Sequence, residues 1–199
     1  RERAELEARG RAAGLDLVAA SSAEPFADAR QALEERRALG LHGTMQFTYR
    51  NPQRSTDPDR TLPGARTLIA GATSYHRDLP DPPESAGPVA RVARYVWADD
   101  RERLLAGLQA VCDALTGVGH RACVVSDQNH LVDRAVAERA GLGWFGKNTM
   151  LIHPRMGTWL FLAELLTTLD LEPAPRGPFR QAPAALGALL GVALLWGVS

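Results

Sequence analysis

The chain has 199 residues, 45% of them hydrophobic, and its 23 Lys and Arg balance 23 Asp and Glu. That size and apolar content allow one domain with a real core, or one domain plus a tail. Zero net charge excludes a surface that coats nucleic acid throughout, although it leaves room for a local basic patch.

The elements follow in chain order. Arg1 to Ala13 has the mixed charge of a helix, and Gly14 ends it. This charged start is unlike a secretory leader, and opening on Arg1 rather than Met predicts that the natural start lies upstream. Leu15 to Ala19 predicts a first strand. Phe26 to Leu39 predicts a helix stopped by Gly40, with the run Arg30 to Arg37 as its solvated face. Thr67 to Ser74 has the pattern of a buried strand. Arg77 to Pro88, with four prolines, predicts an exposed loop. Arg91 to Trp97 predicts a strand, and Arg103 to Gly117 a helix with Leu104, Leu108, Val111, Cys112 and Leu115 along one side. Cys112 and Cys123 make neither a disulfide framework nor a zinc site. They suit a reducing cytoplasm as small buried hydrophobes.

The densest stretch is Val125 to Glu164. Ala122 to Val125 predicts a strand. Ser126 and Asp127 are placed to cap a following helix. Leu131, Val132, Ala135, Val136 and Ala140 give that helix its apolar stripe, with Asp133, Arg134, Glu138 and Arg139 mostly opposite. Gly141 is its stop, and Thr149 to His153 predicts another strand. Gly141 to Gly146 fits G-x-G-x-x-G, and Gly141 to Lys147 fits the start of a phosphate-binding loop. Both motifs need a strand before the loop and a helix after it. The predicted order is the reverse, and Asn148 lacks the hydroxyl that would ligate magnesium, so a nucleotide site is not expected.

The same stretch resembles the N-terminal domain of the epoxyqueuosine reductases, cobalamin-dependent enzymes of tRNA modification. Asp127, Leu131-Val132-Asp133-Arg134, Ala140-Gly141-Leu142-Gly143-Trp144, Gly146-Lys147-Asn148, Leu151-Ile152 and Gly157-Thr158-Trp159 carry the resemblance. Thr158 stands for the family's Ser, and Ala163 for the Gly before Glu164. A second segment, His42-Gly43, Met45, Phe47, Arg50-Asn51-Pro52, Arg54 and Leu62-Pro63 to Arg66, resembles the family's H-G-x-M…R-N-P-x-x-R…L-P-x-A-R. Arg94-Tyr95 resembles an R-Y-A motif. The Tyr-His pair that follows there in the family is replaced by Ala98-Asp99-Asp100-Arg101-Glu102.

The resemblance implies an α+β fold, a mixed sheet flanked by helices, like the nitroreductase-like cobalamin-binding domain of these enzymes. It implies reduction of the epoxide of epoxyqueuosine to queuosine at the tRNA wobble position, with the tRNA anticodon loop as partner and cobalamin as cofactor. Asp127 would be the catalytic proton donor. Burial beside a large apolar macrocycle would raise its pKa toward working pH, whereas its plainer role is a helix cap. Arg54, Tyr95, Asp127, Lys147, Asn148, Leu151, His153, Gly157, Thr158 and Leu162 would hold the cofactor. No protein residue, His153 included, is expected to ligate the metal. Arg50 and Arg54 either hold phosphate or are exposed arginines at helical spacing. Trp144 and Trp159 pack either beside the corrin or in an ordinary core.

In the family, electrons come from [4Fe–4S] clusters held by C-x₂-C-x₂-C-x₃-C-P runs in a ferredoxin-like domain. This sequence has no such run. The resemblance stops near Pro173, so residues 1–173 are expected to form the cobalamin and substrate domain and 174–199 an aberrant or disordered apolar tail. The tail's apolar run is at the short limit for a membrane span and is interrupted by Pro183, so an anchor is not expected. The expectation is a monomeric, cytoplasmic chain that lacks turnover unless a separate iron–sulfur protein feeds it. The alternatives are a cobalamin-binding module without a tRNA substrate, or an inactive fragment produced by a frameshift or truncation.

Overall fold

The computed structural model describes residues 2–44, 46–78 and 90–174. Helix α1 (Glu2–Ala12) leads into strand β1 (Leu17–Ser22), and Gly14 turns the chain between them at φ 108°. Helix α2 (Ala27–Ala38), two single-turn helices α3 (Gln46–Tyr49) and α4 (Pro52–Ser55), and strand β2 (Thr67–Ser74) follow. Helix α5 (Asp100–Gly117), strand β3 (Ala122–Val125), helix α6 (Asp133–Arg139), the short strands β4 (Trp144–Phe145) and β5 (Leu151–Ile152), and strand β6 (Leu160–Thr167) complete the domain.

The main sheet has the order β1-β2-β6-β3, and every neighbouring pair is antiparallel. The α+β expectation holds, but the described sheet is antiparallel rather than mixed. No parallel pair arises because β2 and β6 lie side by side in opposite directions and β1 and β3 add to their outer edges.

Successive residues of β6 point to opposite sides of the sheet. Ala163 and Leu165 join Val18, Ala20 and Ile69 beneath Leu104, Leu108, Val111 and Leu115 of α5. Small residues let this helix approach closely. A Cβ on Gly71 would stand 3.0 Å from Leu108, and one on Gly107 would stand 2.6 Å from Leu15. Leu160 and Leu166 point the other way, with Leu68, Ala70 and Ala72, toward Val136, Ala137 and Ala140 of α6. Each fully buried leucine in these layers contributes about 1.5–3 kcal/mol relative to exposure.

Several boundaries differ from the sequence reading. Arg91 to Trp97 is not a strand. It carries a single 3-10 turn, Arg94–Val96, with Val92, Tyr95 and Val96 exposed. An apolar alternation makes a strand only where a sheet edge is free to pair with it, and none meets this segment. Helix α5 begins three residues before Arg103 because the Asp99 carboxylate caps it, accepting from the Glu102 N–H at 3.0 Å. The expected loop from Arg77 to Pro88 falls mostly outside the described residues. So do residues 175–199, where the tail was expected. No described helix is long and apolar enough to cross a membrane.

Candidate active site

The loop between β3 and α6 is built differently from the capped helix expected there. Helix α6 starts at Asp133, not after Asp127, and neither Ser126 nor Asp127 caps it. The reason is the backbone: Asp127 has φ 53° and Asn129 has φ 54°. Left-handed residues cannot begin a right-handed helix, and Asp and Asn are the side chains that tolerate this conformation best.

Distant residues pin this loop. Arg54 donates from Nη2 to the carbonyl of Asn129 at 3.2 Å. The Asn129 amide donates to the carbonyl of Phe47, and the Thr61 hydroxyl donates to the carbonyl of His130 at 3.4 Å. Arg54 therefore holds the loop that carries Asp127, a role that its spacing from Arg50 did not reveal. The Asp127 side chain is exposed.

The hairpin β4–β5 closes one side of the site. Its glycines are set by close approach, not by phosphate. A Cβ on Gly143 would stand 2.3 Å from the Ile152 carbonyl oxygen, and one on Gly146 would stand 2.5 Å from Ile152 Cδ1. Lys147 and Asn148 occupy the exposed hairpin tip, where the Asn148 side chain accepts from the Met150 N–H at 3.2 Å. Arg134 of α6 clamps this tip by donating to the Thr149 carbonyl at 2.7 Å. Thr149 itself is left-handed at φ 64°, an uncommon state for a β-branched residue.

Between α6, the hairpin and β6 lies a cavity of about 110 Å³ lined by Asp133, Arg134, Met150, Leu151, Thr158, Leu160 and Leu162. Of the residues expected to bind a cofactor, Leu151, Thr158 and Leu162 meet here. Lys147 and Asn148 stand at the hairpin tip, Asp127 belongs to the pinned loop, and Arg54 pins it from α4. His153 is buried, and its Nδ1 accepts from the N–H groups of Arg155 at 3.3 Å and Met156 at 3.2 Å. Burial, then the nearby Arg155, lowers its pKa. It bridges to Gly157, which sits at φ 60°, so both residues shape a turn. Tyr95 lies apart from the cavity lining, edge-on to Tyr75 at 6.5 Å and Phe161 at 6.4 Å. Trp159 joins the same aromatic group through Tyr75 at 5.8 Å, under the Arg94 guanidinium at 4.7 Å.

Two acids escaped the sequence reading. Asp133 is half-buried and lines the cavity rather than facing solvent. Desolvation raises its pKa, with Glu164 and Arg134 opposing and Asp127 adding. Glu164 is 0% exposed in the centre of β6, and neither of its carboxyl oxygens has a hydrogen-bond partner. Burial, then Asp133, holds its carboxyl well above the usual carboxylate range. The signal was available: β6 alternates, so Glu164 shares the inward register of Leu160, Leu162 and Leu166.

The sheet, its flanking helices and the cavity define an α+β domain whose fold is shared with a reductive dehalogenase structure described with a mechanism for B12-dependent dehalogenation. That structure is 18% identical with a TM-score of 0.50, over 92% of this chain and 22% of that one. No family model matches the chain. The epoxyqueuosine reductase of Staphylococcus aureus is 35% identical over 167 residues, 80% of this chain and 43% of the relative. A Bacillus subtilis epoxyqueuosine reductase structure, its catalytic aspartate loop swung out of the active site, matches at 27% identity and TM-score 0.80, over 90% of this chain and 48% of that one. One solved with an epoxyqueuosine-modified tRNA-Tyr stem loop matches at 28% and TM-score 0.78, over 88% and 48%. The resemblance carried by the motifs is thus borne out in sequence and in fold: the chain is similar to part of the epoxyqueuosine reductases. It spans about half the length of the curated relatives it matches.

Proposed function

We propose that this chain forms the cobalamin and substrate part of an epoxyqueuosine reductase, acting on epoxyqueuosine in a tRNA anticodon loop. The observation that carries the reading is the apolar cavity of Met150, Leu151, Leu160 and Leu162 beside the pinned loop of Asp127. Its donor set fits a corrin. Cobalt in a corrin is already held by four ring nitrogens, so the ring needs an apolar platform more than it needs protein ligands. Among the described residues no cluster of His, Cys, Asp and Glu could hold a bare metal ion. At about 110 Å³ the cavity has room for only part of such a ring.

Bound cobalamin would supply the reducing metal for the epoxide carbon. The chain's own work is positioning and proton control. Leu151, Leu160 and Leu162 would exclude water from one face of the ring, and Thr158 would offer a hydroxyl to a ring amide. Arg134 holds the hairpin tip over the site. Arg54 fixes the loop so that Asp127 can donate a proton to the epoxide oxygen. Asp127 is exposed in the free chain, open to an incoming substrate. Arg50 and Lys147, both exposed, suit RNA phosphates. Electrons would come from an iron–sulfur donor. Such a role belongs in the cytoplasm, and Cys112 and Cys123, free and with thiol pKa values pushed up by burial, fit that compartment.

Titrating the purified chain with cobalamin and following visible absorbance tests the reading. A one-to-one complex with a spectrum lacking the nucleotide base on cobalt is expected, and Leu162→Arg should abolish it. No complex, even after addition of an iron–sulfur domain from a full-length relative, would overturn the reading.

A further inference from the structure

Reducing an epoxide consumes two electrons and two protons, whether the product is an alcohol or, with loss of water, an alkene. Asp127 carries one proton. The second needs a group that is protonated near neutral pH and connected to the cavity. Glu164 is such a group. It is fully buried between Ala70 of β2 and Val125 of β3, and its two oxygens lack partners. An ionised carboxylate is disfavoured there, because no described cation pairs with it.

The groups facing Glu164 are few. Ala70 and Val125 flank it on the sheet, and Cys123 lies beyond on the same side with its thiol held neutral by burial. From α6 come Asp133, which interacts with Glu164, and Arg134, which interacts with Asp133. Asp133 also lines the cavity and senses Asp127. The three carboxyls thus lie in order, Glu164 in the sheet interior, Asp133 in the cavity wall and Asp127 in the pinned loop. Burial raises both inner acids, Asp133 from its ordinary value and Glu164 well above it.

We propose that Glu164 and Asp133 form a two-carboxyl proton store that supplies the second proton of the reaction, a role that rests on the function proposed above. Asp127 breaks its O–H bond as the substrate oxygen gains a proton. The Asp127 carboxylate then takes a proton from Asp133, Asp133 takes the proton of Glu164, and the reprotonated Asp127 gives this second proton to the substrate, to the hydroxyl that leaves as water where an alkene forms or to carbon where an alcohol forms. The two electrons would be supplied by an iron–sulfur donor, with cobalamin as the redox group when bound. Solvent entering the cavity returns a proton to Glu164 by way of Asp133 after turnover. Glu164 is a positioning and proton-storing residue, not one that touches substrate.

The store can be observed without cofactor. In the purified chain labelled with ¹³C at Glu and Asp carboxyls, NMR titration should show one glutamic acid still protonated at neutral pH. That signal should vanish in Glu164→Gln. In Asp133→Asn it should titrate at lower pH, because the neighbouring negative charge is gone. Glu carboxyls that all titrate in the ordinary range, or an Asp133→Asn variant that leaves the signal unmoved, would overturn the pair.

Its use in the reaction is read separately, with cobalamin, a low-potential reductant and an epoxyqueuosine-modified stem loop. Glu164→Gln should keep cobalamin affinity within twofold, lower kcat at least tenfold, and shift the alkaline limb of the pH profile. Glu164→Asp should restore part of the rate. A wild-type kcat and pH profile in Glu164→Gln would overturn the store. Failure of the proposed function is distinguishable, because the wild-type chain would then bind no cobalamin while its Glu164 titration still stood.

Discussion

The two faces of the sheet differ in kind. Beneath α5, Val18, Ala20, Ile69, Ala163 and Leu165 meet Leu104, Leu108, Val111 and Leu115, and the buried Thr67, Thr73 and Thr167 on this side are each hydrogen-bonded. Beneath α6, the same strands present Leu68, Ala70, Leu160 and Leu166, but also Glu164, with Asp133 at the helix start and a cavity beside it. One face keeps its buried polar groups partnered. The other departs from ordinary packing: a buried acid without partners, left-handed backbone at Asp127, Asn129 and Thr149, and an incompletely filled interior. Such departures are tolerated where surrounding structure compensates for them, and they concentrate at functional sites. The α5 face holds the domain together, and the α6 face carries the features on which the proposed function rests.

The largest effect expected from this contrast belongs to the α5 face. Leu108→Ala should destabilise the chain by about 2–5 kcal/mol, the usual cost of emptying a packed leucine site. Urea unfolding would measure it. Cobalamin affinity of the folded fraction should stay within about twofold, since at most a few tenths of a kcal/mol should reach so distant a site. A matching loss of affinity would show that the two faces are not separable.

On the α6 side the counterpart is Gly143→Ala. Its new Cβ would stand 2.3 Å from the Ile152 carbonyl oxygen, and backbone cannot yield as a side chain can. A loss of about 1–3 kcal/mol is expected, and here cobalamin affinity should fall with stability, because β4 and β5 must separate. Melting curves with and without cobalamin would show whether the two losses move together.

Much of the α5 face was legible in the sequence. Thr67 to Ser74 was placed to the residue because a run buried on both sides leaves no ambiguity of register. The apolar stripe of α5 likewise identified its buried side. The α6 face was less legible because its features arise from contacts between distant segments. Trp144–Phe145 is too short a strand to show a period, and it forms only because β5 returns to it. Arg54 reads as surface charge until Asn129, 75 positions away, accepts its hydrogen bond. Asp133 was assigned to solvent by helical spacing, yet spacing carries no information about the neighbouring strand that desolvates it. The motif resemblance reached Asp127, Leu151, Thr158 and Leu162 without revealing what ties them together.

A smaller effect separates the faces by pH. The Glu164 pKa is raised in the folded chain, so the folded state keeps a proton that the unfolded state releases. Its stabilising contribution is complete below the ordinary glutamate pKa and is lost as pH rises from there toward the folded value. Asp133 is raised too and acts in the same sense. The slope should reach at most about 1.4 kcal/mol per pH unit for each proton. Glu164→Gln, neutral at every pH, should flatten it. Denaturant unfolding between about pH 5 and 8 would measure both, and an equal slope in the variant would place the pH dependence elsewhere.

The smallest expected effect on stability is also the sharpest test of the division of labour. Asp127 is exposed, makes no cap, and occupies a left-handed conformation that Asn tolerates as well as Asp. Asp127→Asn should therefore change stability by no more than about 0.5 kcal/mol. An amide donates hydrogen bonds but gives up no proton, so turnover should fall by about 10²–10⁴ if Asp127 is the general acid. Cobalamin binding should survive, because the apolar wall is untouched. Loss of stability would mean that Asp127 shapes the loop rather than serving the substrate, whereas loss of rate alone, with fold and cofactor binding intact, would place it with Asp133 and Glu164 on the working side of the sheet.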